Sequence, residues 1–167
     1  GSVFVAFKRV GGGAIKSRFL DNNASARAQV AYSSQIEIDI EVAYESGPWK
    51  KVVHPIQHGN PWAFEDGIRI GSGSHGITVR GNISSGDDAI ALSNEPSETD
   101  GAKAGADIHN IRIGPVKVAT RAGNALRMYQ EASMTAGQTY NVVVSDLVGT
   151  PRSKGKGATG ISLADYS

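Results

Sequence analysis

Residues 66–70 read Asp-Gly-Ile-Arg-Ile, and the same pattern returns at residues 88–92, 124–128 and 159–163. Each copy has a polar residue, a small residue, an aliphatic residue, any residue and then a second apolar residue. A second motif of alternating aliphatic residues lies between these copies, at 35–38, 76–79, 110–113 and 141–144. Because the two motifs alternate along the chain, the sequence is an internal repeat of short segments.

The repeated segments have the period of β-strands with one buried face. Ile36, Ile38 and Ile40 alternate with acidic residues, and no helical period competes with this pattern. Ile68 and Ile90 are 22 residues apart, about one coil of a compact solenoid. Each coil needs its neighbours to complete a core. The sequence therefore predicts an all-β chain, folded as a single-stranded right-handed parallel β-helix, with an antiparallel sandwich as the alternative.

The repeat also predicts the domain organisation and the interior. Residues 3–167 are expected to form one β-helix domain, a fragment of a longer helix because strand patterns reach both ends without a cap. Gly1 and Ser2 are expected to be a cloning remnant, and loops near 94–105 and 151–157 are expected to project. Two interior columns are predicted by alignment: Ile68, Ile90, Leu126 and Ile161 form one, and Ile77, Ile111 and Val142 form the other.

Composition excludes several classes of partner. The net charge is +1, which gives no strong attraction to nucleic acid or to an anionic membrane. No apolar run approaches the length that spans a membrane. The chain has no cysteine, so disulfides and thiolate metal sites are excluded. We therefore expect neither nucleic acid nor a membrane as a partner.

Two segments carry a family resemblance. Residues 65–71, followed by residues 85–92, resemble the polygalacturonases of glycoside hydrolase family 28 and the wider pectin-lyase-like superfamily, which includes many phage tailspike depolymerases. The family carries Asn-Thr-Asp-Gly-Ile, then Gly-Asp-Asp one coil later, then Gly-His-Gly and Arg-Ile-Lys. Asp66 matches the aspartate of the first motif, and Asp87 and Asp88 match the pair in the second. Phe64 and Glu65 stand where the family has Asn-Thr, and no Gly-His-Gly is present.

The resemblance implies a polysaccharide-degrading protein in which Asp66, Asp87 and Asp88 are catalytic. It also implies an extracellular or virion-surface location and suggests a homotrimer. Hydrolysis of a glycosidic bond needs two carboxyl groups, one of which holds a proton. Successive coils bring Asp66 and Asp88 to about 5 Å from each other, which raises one pKa. In a glycosidase the three aspartates are expected to face a common groove, with Asp66 and Asp87 as the wide pair of an inverting enzyme.

Four further residues are candidates for binding the substrate. Arg69 and Arg127 alternate outward from the core and can bind acidic sugars, and Arg127 keeps the arginine of Arg-Ile-Lys. His109 lies one coil-length after Asp88, although the internal repeat aligns it with His75. Trp62 lies just before Asp66 and can stack on a sugar ring. No cofactor and no resident metal are expected, with a calcium site at the three carboxylates as the alternative.

A non-enzymatic interpretation stays open beside the enzymatic one. An aspartate before a tight turn commonly accepts hydrogen bonds from backbone N–H groups, which would make the aspartates architectural. Strict alternation also puts Asp66 and Asp88 on the same side as the buried Ile68 and Ile90, so only a bend brings them out. On this interpretation the chain is a β-helical spike or adhesin segment that binds glycan or forms a rigid shaft.

Overall fold

The computed structural model describes residues 3–20, 26–43, 66–85, 87–94, 106–120, 123–131, 137–151 and 160–166. These residues form strands and turns without a helix, so none crosses a membrane as a long apolar helix. The strands are β1 (Val3–Lys8), β2 (Gly11–Leu20), β3 (Ala26–Ala31), β4 (Ser34–Ala43), β5 (Asp66–Gly71), β6 (His75–Ser85), β7 (Ile90–Asn94), β8 (Ile108–Thr120), β9 (Leu126–Glu131), β10 (Thr139–Val144), β11 (Leu147–Pro151) and β12 (Ile161–Tyr166).

The strands form two parallel sheets that the chain visits in turn. Sheet A has the order β1-β3-β5-β7-β9-β12, and sheet B has the order β2-β4-β6-β8-β10, with β11 also paired to β8. Every strand pair in the described part of the chain is parallel, so the antiparallel sandwich is excluded for the described strands. Parallel neighbours need a crossover, and here a strand of the other sheet supplies it. The prediction of an all-β chain is confirmed.

The predicted register is confirmed in both sheets. In sheet A, Ile68 pairs with Ile90, Ile90 with Leu126, and Leu126 with Ile161. In sheet B, Ile111 pairs with Ile77 on one side and with Val142 on the other. Ile161 differs from its column because 52 % of it is exposed, whereas the other three are fully buried. The reason is that β12 pairs only with β9 within the described part of the chain.

The core lies between the two sheets and is mostly isoleucine. In β8 the burial alternates, with Ile111 and Ile113 buried and Arg112 exposed between them. Burial of each such side chain contributes about 1.5–3 kcal/mol. Branched side chains also suit the pleated strand surface, which explains why the alternating segments became strands.

A column of left-handed residues reorients the chain at the start of sheet B. Gln35, Gly76, Asn110 and Asn141 have φ between 52° and 64°, and each follows a residue of one register column. Asparagine tolerates this conformation better than most residues. The Asn141 amide also donates to Asn110 Oδ1, so two successive turns are joined by their side chains.

Several expectations lie outside the described residues. These are the cloning remnant at Gly1 and Ser2, Trp62, and the projecting loops expected near 94–105 and 151–157, of which only Asn94 and Pro151 are described. Both of these residues end strands, Asn94 in β7 and Pro151 in β11, so neither belongs to a projecting loop.

Candidate functional site

Three aspartates come together where strands of sheet A begin. Asp66 is the first residue of β5, and Asp87 and Asp88 precede β7. The backbone N–H of Gly67 donates to Asp88 O at 2.9 Å, so Asp66 and Asp88 lie on adjacent strands. One carboxylate oxygen from each of the three residues lies within 4.8 Å of the others. We call these three residues the acidic site.

Glycines allow the close approach of the chain around the acidic site. A Cβ on Gly123 would lie 2.3 Å from both Asp87 C and Asp88 N. A Cβ on Gly67 would lie 2.3 Å from Ile83 Cγ2 and 2.5 Å from Ala89 O. Real Cβ atoms do not approach other atoms so closely, so both positions require glycine for packing. The backbone before β9 is thereby pressed against the Asp87–Asp88 peptide.

Two arginines turn back toward the aspartates from the outer face of sheet A. Arg69 Nε and Nη2 donate to Asp66 Oδ2 at 3.2 and 3.0 Å. Arg127 Nη1 donates to Asp88 Oδ2 at 3.3 Å. Both arginines pair in register with Ala91, which leaves room between them. From the sequence, these guanidinium groups were expected to bind acidic sugars, whereas in the structure they donate hydrogen bonds to the carboxylates of the acidic site.

Asn124 is a member of the site that sequence reasoning missed. Its backbone N–H and its side-chain Nδ2 both donate to Asp88 Oδ1, at 2.7 and 2.8 Å. The residue is buried, with 8 % exposed. A signal was present in the sequence, because Asn124 takes the polar position of the repeat in which Asp66 and Asp88 also stand.

Burial sets the electrostatics of Asp66. Loss of hydration raises the pKa of Asp66 from 3.8 to about 7, because the charged form is disfavoured away from water. The guanidinium of Arg69 opposes this effect, and the nearby carboxylates of Asp87 and Asp88 add to it. At neutral pH Asp66 is therefore divided between its protonated and ionised forms.

The acidic site differs from the open groove expected of a glycosidase. Asp66 and Asp88 are buried, with 4 % and 2 % exposed, and only Asp87 is half-buried. The two arginines cover the buried pair because their long side chains fold back over the strand ends. The expected wide pair of Asp66 and Asp87 is also wrong for the nearest oxygens, which lie within 4.8 Å and not the roughly 6.5–9.5 Å of inverting enzymes.

His109 lies in sheet B, whereas the substrate-binding role expected for it requires a place beside the aspartates of sheet A. Its ring stacks between His75 and Tyr140, with centroid distances of 4.9 and 5.1 Å. The three residues occupy one register column at the start of sheet B strands. The internal repeat, which aligned His109 with His75, was the better guide to its position.

The carboxylates of the acidic site have oxygens close enough to surround a cation. Calcium takes six to eight oxygen ligands in proteins. Here two oxygens already accept hydrogen bonds from guanidinium groups, which supply positive charge to the same carboxylates. The calcium alternative stays a prediction without further support from this geometry.

Comparisons with protein-family models, with curated proteins and with solved structures give no match for this chain.

Proposed function

We propose that the chain folds as a right-handed parallel β-helix that cleaves a polysaccharide at the acidic site. The alternation of strands between sheets A and B supports the helix, because each pair of successive strands advances both sheets by one position. A β-strand, crossover and parallel strand in one sheet are right-handed in about 98 % of cases. Stacked coils of this kind also explain why the repeat motifs pair with their own copies.

The observation that carries the proposed activity is the convergence of three carboxylates with a partly protonated member. Asp66 has its pKa raised to about 7, and oxygens of Asp87 and Asp88 lie within 4.8 Å of it. Glycoside hydrolysis requires two nearby carboxyl groups, one of which holds a proton. A general acid works best when its pKa is near the working pH.

Roles follow from burial and charge. Asp66 donates its proton to the glycosidic oxygen as the bond from the anomeric carbon to that oxygen breaks. Asp87, the least buried member of the site, attacks the anomeric carbon and forms a covalent glycosyl ester, as in enzymes whose two carboxyl groups lie about 5–5.5 Å apart. Asp66, which is now ionised, then takes a proton from a water molecule that attacks the same carbon and displaces Asp87. Asp88, held by Asn124 and Arg127, stabilises the positive charge that develops on the sugar ring. The net reaction is hydrolysis, with one proton taken up and one released.

The resemblance to family 28 and to tailspike depolymerases supports the other parts of the proposal. It favours a protein on a virion or in the extracellular space, and a homotrimer. Polysaccharides are the substrates in both groups, so a soluble or surface polysaccharide is the proposed partner.

The proposal is tested by incubating the protein with polygalacturonate and with neutral polysaccharides while new reducing ends are measured. Asp66→Asn and Asp87→Asn should each lower the rate by about a hundredfold or more, since each removes a carboxyl group that takes part in the reaction. Asp39→Asn serves as a matched control, because Asp39 is exposed on sheet B. Equal rates for Asp39→Asn and Asp87→Asn would remove the acidic site from the reaction.

A second candidate is the rigid shaft or glycan-binding segment, and one contact favours it. Asp88 accepts a backbone N–H from Asn124, as an aspartate with a purely architectural role would. On this alternative Asp88→Asn unfolds the protein at a lower temperature, and no polysaccharide is cleaved by the unmodified chain. Thermal unfolding of Asp87→Asn and Asp88→Asn, together with the reducing-end assay, separates the two candidates.

A further inference from the structure

The two arginines beside the acidic site are held by groups of the protein itself. Arg69 donates from Nε and Nη2 to Asp66 Oδ2, at 3.2 and 3.0 Å. Arg127 donates from Nη1 to Asp88 Oδ2 at 3.3 Å. The guanidinium group of Arg127 also lies over the ring of Tyr129, 4.6 Å from its centre, which is a cation–π contact. Both positive charges therefore have partners inside the protein.

The charges of the described groups at the acidic site leave no positive excess. Three carboxylates stand against two guanidinium groups, so the net charge is −1 when every aspartate is ionised. It is zero when one aspartate holds a proton, whichever of the three that is. A site with this balance attracts no anion, and it repels one when all three carboxylates are charged.

The strand positions next to the arginines add no cation. On the outer face of sheet A, Ala91 pairs in register with both arginines, and Ser162 pairs with Arg127 on the side of β12. The neighbouring outer column holds Gly71, Ser93, Tyr129 and Ala164. Within the described strands β5, β7, β9 and β12, these two columns therefore contain hydroxyl groups, an aromatic ring and small side chains, and the two arginines are their only cations.

A negatively charged sugar reaches a guanidinium group here only by displacing an aspartate. If a uronate took Arg127, Asp88 would lose that partner although it is buried, with 2 % exposed. An unpaired carboxylate in such a place is strongly unfavourable, so the exchange brings no net gain. An uncharged sugar needs no exchange, because its hydroxyl groups donate hydrogen bonds to carboxylates and leave the arginines in place.

We propose that the acidic site accepts uncharged polysaccharides and rejects those built from uronic acids. This inference rests on the proposed function, since it names the substrate class of the same site. It makes polygalacturonate a poor substrate in the reducing-end assay. The substrates left for the site are polymers of neutral sugars, such as glucan, galactan or mannan.

The test compares one polymer in three forms. Glucan, galactan and mannan are first screened beside polygalacturonate and alginate, and the best neutral substrate is then oxidised at its primary alcohols to give a uronate polymer. The unmodified chain should cleave the neutral form with a kcat/KM about tenfold or more above that of the oxidised form, because contact between like charges disfavours binding. Methyl esterification of the oxidised polymer removes the charge again and should restore cleavage.

A charge added beside Arg127 gives a matched pair of variants. Ser162→Lys places an ammonium group in register with Arg127 on β12 and should lower the preference for the neutral form by about threefold or more. Val143→Lys adds the same charge to sheet B, where Val143 is 49 % exposed, and should leave the preference unchanged. Neither residue belongs to the acidic site, so both variants should cleave the neutral form at the rate of the unmodified chain.

Faster cleavage of an acidic polymer than of the neutral polymers would overturn the selectivity and leave the proposed hydrolysis intact. An equal change of preference in Ser162→Lys and Val143→Lys would overturn it as well, because the effect would then follow the net charge of the chain and not the charge beside the acidic site.

A binding measurement decides the matter if no polymer is cleaved, in which case the proposed function has failed. Galacturonate oligomers should leave the NMR signal of the Arg127 Nε–H group in place in the unmodified chain. They should shift this signal in Asp88→Asn, which removes the charge of the partner of Arg127. Asp87→Asn takes its place if Asp88→Asn does not fold, since Asp87 is only half-buried and its loss also lowers the negative charge. A shift in the unmodified chain, or no shift in the variants, would overturn the inference.

Discussion

Polar residues are stacked in two columns, one where the strands of each sheet begin. Stacking is favourable in one column and unfavourable in the other. At the start of sheet A the column holds Asp66, Asp88 and Asn124, and at the start of sheet B it holds His75, His109 and Tyr140. Parallel pairing sets both columns at about 4.8 Å per strand. The rings gain from this spacing, since flat groups 4.9 and 5.1 Å apart attract each other.

Stacking is unfavourable for the carboxylates, because like charges repel each other at that distance. The sheet A column is supported by partners that the sheet B column does not show in the described residues: two guanidinium groups, an amide and a proton on Asp66. A repeat can thus stack rings without assistance, whereas stacked acids need their own partners. This difference is the reason that the proposed function is assigned to sheet A.

The largest expected loss of stability comes from a substitution in the core between the two sheets. Ile90 is fully buried between Ile68 and Leu126, so Ile90→Asp would bury an unpaired charge among aliphatic side chains. The cost exceeds the roughly 5–15 kcal/mol stability of an ordinary domain, or takes most of it. We expect Ile90→Asp to lack the β-sheet circular dichroism spectrum of the unmodified chain.

Val148→Asp is the control for that substitution, since 60 % of Val148 is exposed on β11. It should fold with nearly unchanged stability. A folded and cooperative Ile90→Asp protein would mean that the interior column is not the core.

The next effect concerns the charge in the sheet A column. The pKa of Asp66 is higher in the folded chain, at about 7, than its ordinary 3.8, so the folded state binds the proton more tightly. The stabilisation is complete below about pH 4, and it falls as the pH rises toward 7, by at most about 4 kcal/mol. Urea unfolding at a series of pH values measures this slope.

Asp66→Asn removes the titrating group and should flatten the slope between pH 4 and 7. Asp39→Asn, on the exposed surface of sheet B, should keep it. Stability that rises with pH over this range in the unmodified chain would contradict the burial of a protonated Asp66.

The sequence predicted how the strands pair, but it did not predict how the side chains pack around the aspartates. The repeat predicted the register of Ile68, Ile90 and Leu126, because pairing of like segments depends on a period of two that is visible in the sequence. The family motif predicted that Asp66, Asp87 and Asp88 would meet, and the register brings them together.

The surroundings of the aspartates were not predictable in the same way. Alternation states that Arg69 points outward but not that its long side chain returns to Asp66, three residues earlier. Alternation alone also placed Asp66 on the buried side, whereas the family motif favoured an open groove, and the burial of Asp66 agrees with alternation. Asn124 contacts Asp88 across 36 residues of sequence; the repeat aligns the two positions, but it does not report the hydrogen bond between them.

A smaller effect tests the close approach at the acidic site. Gly123→Ala would place a Cβ 2.3 Å from the Asp87–Asp88 peptide, so the two segments must separate. We expect a loss of about 1–3 kcal/mol in the free energy of unfolding. Because Asn124 moves with Gly123, polysaccharide cleavage should fall as well. Gly160→Ala is the control, with nothing within 4 Å of its added Cβ; equal losses from the two variants would show that the contact at Gly123 is not tight.

The smallest effect concerns the sheet B column, where stacking is favourable and partly exposed. Tyr140 is 46 % exposed and touches His109 on one face, so Tyr140→Ala should cost about 1 kcal/mol. A double-mutant cycle with His109→Ala should give a coupling of about 0.5–1 kcal/mol, since the two rings are in contact. Val143→Ala on the same strand, with 49 % exposed, is the control for lost apolar area and should show no coupling to His109.

All three variants should cleave polysaccharide at the rate of the unmodified chain, because the column lies on the sheet opposite the acidic site. A loss of cleavage in His109→Ala at unchanged stability would return His109 to the substrate-binding role and would remove the distinction between the two columns.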